Sequence, residues 1–269
     1  MARLVERHIM SERQRNFRER YLAQIHPLYS GTLHIGVIYV VGLTAIVWCL
    51  RHLVNASWEW LLVVPVFAAA NLFEWWIHKN VMHRLVDVWA LRSIYDRHTR
   101  QHHQYFSDNE MTVEDTREYR IIFFPWRALF SFIALGVPFA LALAWIVNRN
   151  AGYILMVTIV GQYLIYETFH FCCHVHDNRL VRNIPLINTI RRHHAAHHNM
   201  GIMMSVNMNL TIPMADWFMG TSDLERSLLG TIFNGYNEDH VRADLKPAIE
   251  RFRSHDASAA LDGPRGNRQ

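Results

Sequence analysis

Four apolar stretches, roughly 33–50, 60–77, 128–147 and 151–171, stand out from an otherwise mixed chain. A helix crossing a bilayer needs about 20 mostly apolar residues, and each stretch comes close to that. The third carries no charge; the first contains His34, the second Glu74 and the fourth Glu167. Each reads as a membrane-spanning helix, the two acids marking last turns that enter a polar site. Buried helices of a soluble protein are the competing reading. Pro65 and Pro138 fall inside spans, where neighbouring helices can satisfy the freed backbone groups. Trp58, Trp60, Trp75, Trp76, Trp126 and Trp145 fall at span ends, as interfacial aromatic belts do. The pattern predicts an all-α integral membrane protein with about four spans in two hairpins. Residues 1–30 form a polar, partly helical lead-in, residues 31–253 the membrane domain, and residues 254–269 a tail of disordered composition. The mixed segments from Lys79 to Arg127 and from His174 to about Phe252 are expected to fold together as a helical cap.

Charge orients this arrangement. Of 27 Lys and Arg, six precede the first span, eight lie between Lys79 and Arg127, and eleven follow the fourth span. The short connections carry only Arg51 and Arg149. The positive-inside rule then puts both termini and the long middle segment in the cytosol. The polar, Arg-rich opening followed by an anchor-like run predicts no cleavable signal peptide. Three Cys, two of them adjacent (Cys172, Cys173), supply neither a disulfide framework nor a CxxC site. A net charge of +4 is accounted for by basic loops against anionic lipid, so no nucleic-acid partner is expected. Arg outnumbers Lys 25 to 2, a bias that favours a bacterial inner membrane over the endoplasmic reticulum.

Histidine changes the picture most. Twelve of 18 histidines fall between His78 and His198, in four knots at or after the ends of spans on the predicted cytosolic face. Imidazole is the commonest nitrogen ligand for iron, zinc and copper, and so many gathered together exceed what one ion needs. The pattern therefore points to a two-metal centre. Residues three or four apart share a helix face, which pairs His98 with His102, pairs His170 with His174, and makes a fan of His194, His197 and His198. His78 and His83 are five apart, so the second span is expected to end near His78, with a turn before His83. Glu74, Glu167 and Asp96 stand two to four residues before histidines, where carboxylates that orient metal-bound imidazoles commonly sit. A metal transporter would place its ligands at mid-span, and a haem cytochrome would need paired mid-helix histidines; neither pattern is present.

The segments HKNVMH (78–83), HTRQHH (98–103), HFCCH (170–174) and HAAHH (194–198) resemble, in order, the histidine boxes of the membrane fatty acid hydroxylase and sterol desaturase superfamily. EWWIHKNVMH, FFPW (123–126) and NLTIPMADWFMGT (209–221) extend the similarity from Glu74 to Thr221, and RRHHAAHH is most similar to the fatty acid 2-hydroxylase branch. The second box has one intervening residue more than that branch usually has, and Ala215 and Met219 replace its aromatic residues. The resemblance implies a di-iron centre held by His78, His83, His98, His102, His103, His170, His174, His194, His197 and His198. His193 competes with His194 for a place, and the role of His176 stays open. It further implies O2-dependent hydroxylation of a membrane lipid at an unactivated C–H bond, with desaturation at the same site as the alternative. The lipid would be an acyl chain, a polar lipid or a sterol-like molecule. Electrons would come from a separate ferredoxin- or cytochrome b5-like partner.

Overall fold

The computed structural model describes residues 10–107, 110–176, 178–184 and 186–222. The expected disordered tail (254–269), residues 223–253 of the expected membrane domain and residues 1–9 of the lead-in lie outside the described residues. The described chain is helical, with a single isolated bridge between Ser107 and Glu110. In order it forms α1 (Glu12–Ala23), α2 (Gly31–Arg51), α3 (Val63–Ile77), α4 (Trp89–Arg97), α5 (His103–Tyr105) and α6 (Tyr119–Ile122). There follow α7 (Trp126–Ile146), α8 (Arg149–Cys173), α9 (Arg179–Arg182), α10 (Ile187–His197) and α11 (Met214–Met219).

Four segments are long and apolar enough to cross a membrane: Gly31–Arg51, Trp58–Met82, Thr116–Ile146 and Arg149–Cys173. Their large side chains face outward in quantity, among them Leu33, Val40, Leu43, Val64, Phe73, Phe130, Leu135 and Phe139. Such a surface is unfavourable in water and ordinary in lipid. α8 is the common partner, with α7, α2 and α3 each packing against it. Small residues permit this closeness: a Cβ added to Gly152 would lie 2.6 Å from the Ala140 carbonyl oxygen, so α7 and α8 meet there almost backbone to backbone. α3 and α7 stand apart on α8, and the gap between them becomes important below.

Capping fixes the ends. Ser30 accepts from the Leu33 N–H and opens α2; Asn148 accepts from the Ala151 N–H and opens α8. Glu59 accepts from both Asn148 (2.9 Å) and Asn150 (3.2 Å), tying together the two short connections at the end remote from the histidines. The lead-in is more than a leader. On α1, Arg18 donates to the carbonyls of Tyr105, Thr112 and Glu110, and Gln14 donates to those of Tyr105 and Glu110. Of the tryptophans expected in an interfacial belt, Trp58, Trp60, Trp76, Trp126 and Trp145 are exposed. Trp75 departs from that expectation: it is buried and its indole N–H donates to the Thr221 hydroxyl at 2.9 Å.

Candidate metal centre

The second span does not end at His78. Residues His78–Met82 continue as a π-helical turn, in which the His83 N–H donates to the His78 carbonyl five residues back at 3.1 Å. A second π turn spans His98–His102, with the His103 N–H reaching the His98 carbonyl. Residues five apart face the same way in such a turn, so the spacing that suits an α-helix poorly is here the working one. It stacks the rings of His78 and His83 at 4.9 Å and brings the Nε2 atoms of His98 and His103 to 3.1 Å. Wide turns of this kind recur at functional sites.

Two groups of buried imidazoles result. His78, His83, His98, His103 and His197 form one; His102, His174, His194 and His198 form the other. His170 joins the second at its edge, its Nε2 lying 3.2 Å from that of His102. All ten histidines implied by the resemblance are thus buried and brought together. The α-helical pair His98 and His102 is divided, one ring to each group, and the fan on α10 is divided likewise, with His197 in one group and His194 and His198 in the other. The groups abut through stacked rings, His103 on His198 at 4.3 Å and His98 on His102 at 5.4 Å.

The outer nitrogens decide what the inner ones can do. Nδ1 donates to the Met208 carbonyl from His78, to Ile121 from His102 (3.2 Å), and to Met111 from His174 (2.9 Å). His197 donates in the same way to Val206 (2.9 Å) and His198 to Phe106 (3.2 Å). A carbonyl only accepts, so each Nδ1 must carry the proton and each neutral ring presents a bare Nε2 lone pair. Yet the inner nitrogens face one another: 3.2 Å between His102 and His198, both with tautomers fixed in this way, and 3.0 Å in the pairs His83–His197 and His174–His194, where one ring of each is so fixed. Two lone pairs at that distance make no hydrogen bond. They suit a shared cation, since metal–nitrogen bonds of about 2.1 Å put neighbouring ligand nitrogens roughly 3.0–3.4 Å apart. Burial first, and then the neighbouring imidazoles, hold His83, His98, His102, His103, His174, His194, His197 and His198 well below the ordinary imidazole pKa, keeping the lone pairs free. The donor set fits two ions of the nitrogen-loving transition series, and both groups consist of imidazole alone.

The three carboxylates expected to orient histidines do something else. Glu74 accepts from the N–H groups of Leu210 (2.6 Å) and Thr211 (3.1 Å) and from the Thr211 hydroxyl (2.7 Å). It therefore pins the loop whose Met208 carbonyl receives His78, acting one step further out than expected. Glu167 accepts from the Phe124 N–H at 3.2 Å, fixing the entry to α7. Asp96 faces outward and pairs with Arg100 along the same helix. Backbone carbonyls take the expected role instead, because the rings point away from their own helices toward neighbouring loops. His193 is excluded from both groups and faces Asp216 at 3.5 Å; His176 pairs on the surface with Glu114 at 3.0 Å.

Supporting residues that the sequence reading did not single out complete the picture. The Thr99 hydroxyl donates to the Met82 carbonyl at 2.6 Å, leaving its oxygen to receive His83 Nδ1 at 3.4 Å. Asp216 accepts from the Met208 and Asn209 N–H groups at 2.9 and 2.6 Å, holding the His78 acceptor from the other side. Arg97 donates to the carbonyls of Arg120 and Phe123, bracketing Ile121, the acceptor for His102. Asp216 was visible as part of the 209–221 similarity; Thr99 and Arg97 had no signal beyond lying beside His98.

Below the first group lies a cavity of 580 Å³. α3 and α7 form its walls and α8 its floor, and Phe73, Phe132, Leu135 and Phe139 leave it open sideways between the two walls. Its lining is almost wholly apolar, and His78 and Met82 close one end. His78 thus belongs both to the metal group and to the slot. Comparison of the chain with protein-family models, with curated proteins and with solved structures gives no match.

Proposed function

We propose that this chain is an O2-dependent di-iron hydroxylase of a membrane lipid, with lipid desaturation by the same centre as the second reading. The observation that carries it is the double membership of His78, which sets a buried two-ion site directly against the end of an apolar, laterally open slot of a size usual for small-molecule ligands. Histidine-only ligation suits iron among other ions, and the resemblance of the four boxes favours iron over zinc.

Iron bound there would supply O2 activation with electrons from a separate ferredoxin- or cytochrome b5-like donor, turning C–H into C–OH with the second oxygen atom leaving as water. The chain's own part is binding, orientation and exclusion of water. The carbonyls of Met208, Ile121, Met111, Val206 and Phe106 fix ring tautomer and direction. The slot walls strip an alkyl chain of water and hold one of its carbons beside His78. A small change in which carbon is held there separates hydroxylation from desaturation. The distribution of Arg and Lys supports a topology of two hairpins in which α4, α10 and the connecting loops make a cytosolic cap over the site, in a bacterial inner membrane.

Lipid mass spectrometry on host cells tests this, comparing the wild type with a His194→Ala, His198→Ala double variant, alongside metal analysis of the purified proteins. A wild-type-only lipid heavier by one oxygen supports hydroxylation. One lighter by two hydrogens selects the desaturase. Two irons per chain with no altered lipid, in cells supplied with a matched electron donor, would sink lipid oxidation as the function.

A further inference from the structure

Gln162 is the feature of the slot that hydroxylation of a plain alkyl chain leaves unexplained. It lies on α8, is 7% exposed, and contributes to a lining that is otherwise mostly apolar, with Ala69, Leu135, Gly136 and Ile159 among its members. Its carbonyl oxygen is buried with no partner. Leaving a buried polar group unpaired costs about 1–3 kcal/mol, and here the cost falls inside a membrane-spanning helix, where water is scarce. On the same helix Thr158 and Thr168 donate to the carbonyls of Ile154 and Leu164 at 2.8 and 2.7 Å, whereas the Tyr163 hydroxyl and one Glu167 oxygen are, like the Gln162 carbonyl, buried without a partner. Gln162 lines the slot without such a partner for its carbonyl oxygen.

We infer that the slot takes a lipid carrying an uncharged hydroxyl group partway along its apolar body, and that Gln162 is the residue that reads it. A primary amide both donates and accepts, as a hydroxyl does, so one partner can satisfy it; a charged group would find no counter-ion at that depth. Such a contact selects its ligand by rejection, because an occupant without the hydroxyl leaves the amide buried and unpaired. This rests on reading the slot as the substrate site.

The test is binding of two probes to the purified full-length protein by native mass spectrometry: stearic acid and its counterpart with a mid-chain hydroxyl. The wild type is expected to prefer the hydroxylated acid by about tenfold, the affinity equivalent of one buried hydrogen bond. Gln162→Leu is expected to lose that preference, to bind plain stearic acid more tightly, and to melt no lower than the wild type, since an unpaired amide has been removed. Should the Leu variant fail to fold, Gln162→Met carries the same expectation. Equal binding of both probes by the wild type, or a preference that survives either substitution, overturns the assignment. Neither iron nor turnover enters the measurement, so its failure is separable from failure of the oxidation chemistry, which metal content and lipid products report.

Discussion

At Met208, Val206, Ile121, Phe106 and Met111 the backbone turns a carbonyl toward a histidine Nδ1, and that contact selects the tautomer of the ring before any ion arrives. Neighbouring residues consequently have opposite roles. His194→Ala removes a lone pair from the second group, whereas His193→Ala removes only a partner of Asp216. The first is expected to lower bound metal by about one ion per chain or more; the second should leave metal content unchanged and lower the melting temperature. Metal analysis beside a thermal melt separates them, and equal metal loss in both would refute the division. Asp216→Asn weakens two charge-assisted contacts that hold the Met208 segment, and about 1–3 kcal/mol of stability should go with them. The histidine clusters that could hold metal were legible because the ligand atom belongs to the side chain itself. Their orienting partners were not, because any residue type supplies a carbonyl. Glu74 looked like such a partner from its position one turn before His78, but its carboxylate points to the 210–211 loop.

Helices α3 and α4 both run into a π turn where a histidine is followed by another five residues later. Each turn accommodates one residue more than an α-helix would, and the surplus aims the second ring at the first. Inserting an alanine after Asn80 should set the two histidines six apart, a spacing that neither an α nor a π turn places on one face, and so rotate His83 out of its group. The chain would still enter membranes and keep its helix content by circular dichroism, while losing metal from the His78 group. Full metal retention in the insertion variant would show that the five-residue spacing is incidental. Helix α1 illustrates the opposite limit of sequence reading. Its Arg18 and Gln14 grip the carbonyls of Tyr105, Glu110 and Thr112, the stretch that carries the Phe106 and Met111 acceptors. Nothing in the spacing of those two residues announces a partner some 90 positions away. The four long apolar helices, by contrast, were plain from composition alone. That α2 and α3 both rest on α8 was not, because which helices meet depends on side-chain fit, such as Gly42 of α2 under Leu164 of α8.

Across the whole molecule, burial of so many imidazoles has a price in acid. The unfolded chain takes up protons on histidine near pH ~6.5, while the buried rings outside the spans, held well below that value by desolvation, refuse them. Below about pH 6.5 the unfolded state therefore binds more protons, and stability present above that value drains away as the pH falls. The metal-free protein should melt at progressively lower temperature from about pH 7 to about pH 5; a flat profile would mean that the rings are already open to solvent. The sideways opening between α3 and α7 has a different kind of consequence. A molecule entering there arrives by diffusion in the plane of the bilayer, so the concentration it obeys is its mole fraction among lipids and not its molarity in the tube. Diluting the membrane with inert lipid at fixed total substrate should slow uptake, whereas diluting the whole suspension with buffer should leave it nearly unchanged.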